Sequence, residues 1–389
     1  MKREMEKARM SATPYKTVEV LRPGDAQANG MVARLTTDGG LVVHAIAVAQ
    51  DWPSSTGPTW TYLLDVEGLT LIDAGAPGSF QALADGVKQA GFDVKDIDRV
   101  IITHGHRDHD GAAVRLIEEA GAELWAHDIY THLLPYSRGD LQSNPVPPIQ
   151  KEMDRVIAEN LEGASLPPSR RPSYPDDYEY KKRLEVTHSV EDGDRFTGLE
   201  FLHTPGHSPD AICVSLDGLV FTGDHVLPEI TPHPTTKVRL ATEIKEKLPS
   251  RYRDEGKTFG LAAYLRSLNR IDGLGSDVPV LPAHRFHTDG AFNFETANRA
   301  GEILRHHAGR LQRVLDRIGR GPTSLEEVTR GIFAHRKLLG GNLGMALSEV
   351  VAHIELLQDA GDLDVTDDQG LSWKGTENYR QTIGDTARP

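Results

Sequence analysis

The sequence predicts an α/β fold in which two strand-rich halves are followed by a helical module. Three observations carry that expectation. Short apolar runs of β type, closed by Gly, Asp, Pro or a polar turn, alternate with helical patterns from Leu41 onward. The same alternation resumes after an interruption rich in Pro, Ser, Arg and Tyr, and beyond Pro282 long helical patterns replace it.

In chain order, the β-type runs of the first half are Leu41 to Ile46, Tyr62 to Val66, Leu69 to Ile72 and Val100 to Thr103. Helical patterns fill Gln81 to Ala90 and Ala112 to Ala120, the second ended by Gly121 before a strand at Glu123 to Ala126. The second half reads as strands at Leu184 to Thr187, Leu199 to Thr204, Ala211 to Leu216, Leu219 to Thr222 and Val278 to Leu281, with Asp217-Gly218 as a hairpin turn. Residues 134–180 read as an insertion carrying one helix, Gln150 to Leu161, and an insertion of that length suits a lid. A second irregular stretch runs from Pro228 to Lys257. Helices are then expected at Phe294 to Ile318, Ser324 to Phe333 and Ala346 to Ala360, followed by a hairpin over Leu363 to Lys374, the outline of a winged helix. Gly319-Arg320-Gly321-Pro322 marks the boundary. The expected organisation is a flexible leader at 1–15, a main domain at 16–320 and a winged-helix-like module at 321–389.

The chain of 389 residues has room for two or three domains, since a domain takes roughly 100–200 residues. With 43 Lys+Arg against 57 Asp+Glu, the net charge of −14 works against binding to phosphate backbones, so a nucleic-acid partner is not expected. No apolar stretch reaches the ~20 residues that a membrane helix needs. A single cysteine, Cys213, excludes an internal disulfide and fits a reducing cytoplasm.

The chemistry concentrates in Thr103-His104-Gly105-His106-Arg107-Asp108-His109, which lies between an apolar strand and a helix. Side chains on such a turn can converge, whereas neighbours on a straight strand point to opposite faces. Neutral imidazole and carboxylate suit zinc. Four further segments each end an apolar run on one metal-competent residue beside or near Gly or Pro: Asp73, His207, Asp224 and His284.

In these five blocks and their order, from approximately Val42 to His284, the chain resembles the metallo-β-lactamase-fold superfamily of metallohydrolases. The resemblance implies an αββα sandwich with a two-metal site at one edge. His104, His106 and His207 would hold one metal, Asp108, His109 and His284 the other, and Asp224 would bridge them; Asp73 would orient ligands. Gly223-Asp224-His225-Val226-Leu227-Pro228, the long helices and the winged-helix-like end look like glyoxalase-II-like hydrolases and, more distantly, LACTB-type ribonucleases. Those relatives commonly have Pro-Gly-His-Gly where this chain has Pro282-Ala283-His284-Arg285; Arg285 is either an anion clamp or an ion-pair partner.

Two divalent ions, zinc first and iron or manganese as alternatives, would make hydroxide from a shared bridging water near neutral pH. Asp108 would then orient or accept a proton from the nucleophile, and His225 is either a proton donor or a buried neighbour of Asp224. The expected substrate is a small thioester, ester or lactone. Tyr136, Tyr174, Tyr178 and Tyr180 are either an aromatic lid or packing anchors, and His233 and His287 are candidate pocket residues. Two competing functions remain open at this level: a persulfide dioxygenase using one iron, and an RNA-processing phosphodiesterase. The mixed charge of Leu325 to Arg336 disfavours the second and makes the module a packing or homodimerisation element. The remaining histidines, among them His44, His127, His203, His306, His307 and His353, read as surface or core residues.

Overall fold

The computed structural model describes residues 13–52, 54–136, 146–161, 179–232, 234, 240–321, 323–335, 338, 342–365 and 370–382. His233, Tyr174 and Tyr178 lie outside them.

The first half builds an eight-stranded sheet from β1 (Thr17–Arg22), β2 (Val32–Thr36), β3 (Val42–Val48), β4 (Thr59–Asp65), β5 (Leu69–Ile72), β6 (Ile97–Ile101), β7 (Glu123–His127) and β8 (His188–Val190), lying side by side in chain order. β1 to β5 pair antiparallel and β5 to β8 parallel, with α1 (Phe80–Ala90), a short α2 (Arg107–Asp110) and α3 (Ala113–Ala120) in the crossovers. After α4 (Asp128–Leu133) and α5 (Pro148–Leu161), a second sheet forms from β9 (Arg195–Phe196), β10 (Leu199–His203), β11 (Ile212–Leu216), β12 (Leu219–Gly223) and β13 (Pro279–Pro282), with a two-residue strand, Glu295–Thr296, on its outer edge.

Alternation along the strands decides which layer each residue joins. Val43, Ala45, Trp60, Tyr62, Phe201, Val214, Phe221 and Leu281 fill the space between the sheets. Ile46, Val48, Leu63 and Leu71 turn the other way, onto Leu83, Val87 and Leu116 of the helices. On the far side, Leu202, Cys213, Val220 and Val280 meet α6 (Gly260–Asp272) and α7 (Asn298–Ile318) through Leu261, Leu265, Leu268 and Ile303. Both faces of each sheet are covered, which is why the central strands read as continuous apolar runs. Each fully buried large side chain contributes about 1.5–3 kcal/mol. The layers are helix, sheet, sheet, helix: an αββα sandwich.

The hairpin turn forms as the sequence predicts, with Asp217 at φ 49 and Gly218 at φ 78 closing the Leu216↔Leu219 pair. The expected strand at Leu184 to Thr187 is a correction. That segment leaves a 3-10 turn at Glu179–Arg183 and buries Leu184 under the first sheet, and the strand starts at His188. Tyr15, within the expected leader, is buried against Phe294 at a ring distance of 5.4 Å. Beyond Ile318, α8 (Leu325–Ile332), α9 (Asn342–Asp359) and the paired strands Leu363–Val365 and Leu371–Trp373 share one core with Leu311, Val314 and Leu315 of α7. The α5 helix joins them: Gln150 Nε2 donates to Glu355 Oε1 at 3.0 Å and Arg330 to Asn160 Oδ1 at 3.0 Å. Among the described residues no helix is long and apolar enough to cross a membrane.

Candidate metal centre

The five blocks predicted from sequence meet at one edge of the sandwich, each at or just after the C-terminal end of its strand: Asp73 after β5, His104 to His109 after β6, His207 after β10, Asp224 after β12 and His284 after β13. Two ligand groups result. In one, donor atoms of His104, His106, His207 and Asp224 lie within 4.8 Å of one another; in the other, those of Asp108, His109 and His284 do. His106 Nδ1 is 2.9 Å from His104 Nε2 and 3.0 Å from His207 Nε2. Nitrogens on a tetrahedral zinc sit about 3.3 Å apart, by its bond length of ≈ 2.0–2.1 Å.

Asp224 joins the groups. Its Oδ2 faces His207 Nε2 at 3.4 Å, while Oδ1 faces His109 Nε2 at 3.5 Å and His284 Nε2 at 3.4 Å. His109 Nε2, His284 Nε2 and Asp224 Oδ1 are buried and lack a hydrogen-bond partner within the protein. Buried polar atoms are rarely left in this state, and a cation among them would satisfy all of them.

The opposite faces of these side chains are fixed. Asp73, at φ 60, accepts from His109 Nδ1 at 2.8 Å and from both the backbone N and the hydroxyl of Thr103 at 2.8 Å. His284 Nδ1 donates to Pro58 O at 3.0 Å. Both contacts turn Nε2 toward the site, the arrangement that metal-bound histidines adopt. Asp73→Asn is therefore expected to weaken metal binding 10–100-fold; calorimetric titration with zinc checks it, and unchanged affinity would remove Asp73 from this role.

Residues 55–284, more than half of the chain, match the family described as "Metallo-beta-lactamase superfamily". The chain belongs to that superfamily. It is 26% identical to a probable metallo-hydrolase of Bacillus subtilis over 252 residues, 61% of this chain and 70% of that protein. Two solved structures share the fold. A Beta-lactamase domain protein from Burkholderia ambifaria (TM-score 0.61, 22% identity) covers 90% of this chain and 95% of its own. A metallo-beta-lactamase family protein from Thermus thermophilus (TM-score 0.57, 19% identity) covers 85% of this chain and 98% of its own.

Electrostatics within this metallo-beta-lactamase-fold site divide its imidazoles. Burial, then the neighbouring imidazoles, hold His104 well below the usual histidine range, and burial with His207 brings His106 to about 3. Burial also acts to lower His109 and His284, but Asp73, Asp224 and Asp108 around the first and Asp224 and Asp108 around the second raise both. Burial would raise the two carboxyls, yet His109 and His284 hold Asp108 and Asp224 well below the carboxylate range. In the metal-free chain the surrounding carboxylates favour protons on His109 and His284, and a metal must compete with those protons. Metal uptake at pH 7 is expected to release protons, and affinity to fall as pH drops. Calorimetry in buffers of different ionisation enthalpy measures this, and zero release would contradict it.

Sequence reasoning missed several supporting residues. Gln50 Nε2 donates to Asp108 Oδ2 at 3.0 Å. The Gly105 peptide, inside the His-x-His run, is held from both sides: its N donates to Asp210 Oδ2 at 2.8 Å and its O accepts from Lys181 Nζ at 2.5 Å. Lys181 Nζ also lies 2.8 Å from Asp110, which accepts from the hydroxyls of Tyr130 at 2.9 Å and Tyr180 at 2.6 Å. Tyr180 is thus an anchor beneath the metal loop, and Tyr136 accepts from Lys247 Nζ at 2.7 Å. Arg285, at φ 60, donates to Ser55 O and lies 3.8 Å from Glu229. His225 is buried edge-on to Tyr264 at 5.2 Å, and burial takes it to about 3. His287 packs on Phe292 at 5.0 Å.

Proposed function

We propose that the protein is a dinuclear metal-dependent hydrolase of a small thioester, ester or lactone. The observation that carries this reading is the division of one carboxylate, Asp224, between two ligand groups. Divalent ions held there would supply a hydroxide near neutral pH and polarise the bond under attack. Zinc fits the histidine-rich group best.

The chain's own residues do the rest. Asp108, ionised and bonded through Oδ2 to Gln50, has its carboxylate turned to the site, 3.2 Å from His284 Nε2, where it can accept a proton from the attacking water. Asp73 and Pro58 O hold two imidazoles in one tautomer, so the site need not reorganise as charge develops. A hydrolase fits this arrangement better than an oxygenase with a single iron, because one ion would use only one ligand group and leave the Nε2 atoms of His109 and His284 facing only Asp108 and Asp224. A phosphodiesterase of RNA gains little support: Arg330 on α8 pairs with Glu326 at 2.7 Å, and the chain carries a net −14.

The test pairs elemental analysis with thioester, lactone, phosphodiester and persulfide substrates. Thioester or lactone turnover that a chelator abolishes and zinc restores supports the proposal. Oxygen uptake on a persulfide with one iron per chain, or cleavage of phosphodiesters alone, overturns it.

A further inference from the structure

We propose that His306, His307 and Glu349 form a separate site for a divalent transition-metal ion of the zinc class, at the seam between α7 and α9. One donor atom from each lies within 4.8 Å of the others, the same spacing that defines the two groups of the metal centre. His306 Nε2 is 3.5 Å from Glu349 Oε1, close to the about 3.3 Å expected between donors on one tetrahedral zinc.

Hydrogen bonding fixes the tautomers. Glu349 O accepts from His353 Nδ1 at 2.6 Å, so the neutral His353 presents a lone pair at Nε2. That atom is 3.2 Å from His307 Nδ1, which must then donate to it. His307 Nε2 keeps a lone pair, buried and without a hydrogen-bond partner in the protein. A cation satisfies it. The relay from His307 through His353 to a backbone carbonyl then does what Asp73 does for His109 and Pro58 O for His284, holding one ring nitrogen so that the other can bind.

Protonation states agree. Burial keeps His307 well below the usual range and brings His353 to about 4, so both are neutral. Burial would raise Glu349, but the His306 hydrogen bond and the Arg310 guanidinium hold it at about 2, ionised. Arg310 Nε lies 3.1 Å from the same Glu349 oxygen, and a carboxylate has lone pairs for both cations. His306 and Glu349 are partly exposed, which gives the ion an entry. Because α7 packs on the sheet and α9 belongs to the C-terminal helices, the ion would staple the two together.

The test titrates untagged full-length protein, stripped by chelator, with zinc, and compares His306→Ala and Glu349→Gln. The wild-type chain is expected to take up one equivalent more than either variant, and its melting temperature to rise further with zinc than theirs. Both variants should keep the equivalents of the metal centre, which also confirms that they fold. The Asp224→Ala variant should retain the additional equivalent, so this result stands or falls apart from the hydrolase reading. Equal zinc uptake by the wild type and His306→Ala overturns the proposal.

Discussion

Asp224→Ala is expected to lower kcat by on the order of 1,000-fold or more, with loss of metal from both ligand groups at once. The two carboxylate oxygens face different imidazoles, Oδ2 toward His207 and Oδ1 toward His109 and His284. An alanine removes a donor from each group and the negative charge between them. Metal ions contribute several kcal/mol of charge stabilisation, and each 1.36 kcal/mol is tenfold in rate. Asp108→Ala serves as the contrast, since it touches only the second group and should leave the His104, His106 and His207 group loaded. The check is metal content alongside kcat on whichever substrate the screen identifies. Less than tenfold loss in Asp224→Ala, or loss of metal from one group only, would mean that the carboxylate does not bridge.

Gly206→Ala is expected to destabilise the fold by about 4 kcal/mol and to displace His207. Gly206 sits at φ 128, where L side chains are strained by roughly 1–3 kcal/mol, and overpacking adds about 1–3 kcal/mol. An added Cβ would meet the Tyr264 backbone N and Cα at 2.3 Å, atoms of the α6 helix that cannot swing aside. Tyr264 also donates its hydroxyl to His225 O at 2.8 Å, so one residue braces the neighbours of both His207 and Asp224. Gly91, at φ 100 with nothing within 4 Å of an added Cβ, isolates the backbone strain. Thermal melts should place Gly206→Ala about 5 °C or more below wild type and clearly below Gly91→Ala. Equal melting of the two variants would show that the close approach at Tyr264 does not matter.

The metal ligands were legible because each closes an apolar run beside or near a turn former, a local pattern that needs no knowledge of the fold. The central strands were legible for the same reason, since burial on both faces leaves no polar positions. β1 and β2 escaped notice: Thr17–Arg22 is an exposed edge strand with polar residues, and Val32–Thr36 carries Arg34. Leu184 to Thr187 looked like a strand because apolar content reports burial, which a loop dipping under a sheet also supplies. Gln50, Lys181, Asp210 and Tyr264 sit in no motif and reach the site only through contacts set by topology. His306 and His307 read as ordinary because Glu349 and His353 arrive on another helix, and neither spacing alone has the form of a ligand pair.

The most direct test of the central claim is anomalous diffraction at the metal edge from crystals of the chain as purified. Two peaks about 3.5–4 Å apart, one among His104, His106 and His207, the other among Asp108, His109 and His284, with Asp224 between them, is the result predicted. A single iron peak among the histidines, with His284 and Asp108 bound only to each other, would contradict it.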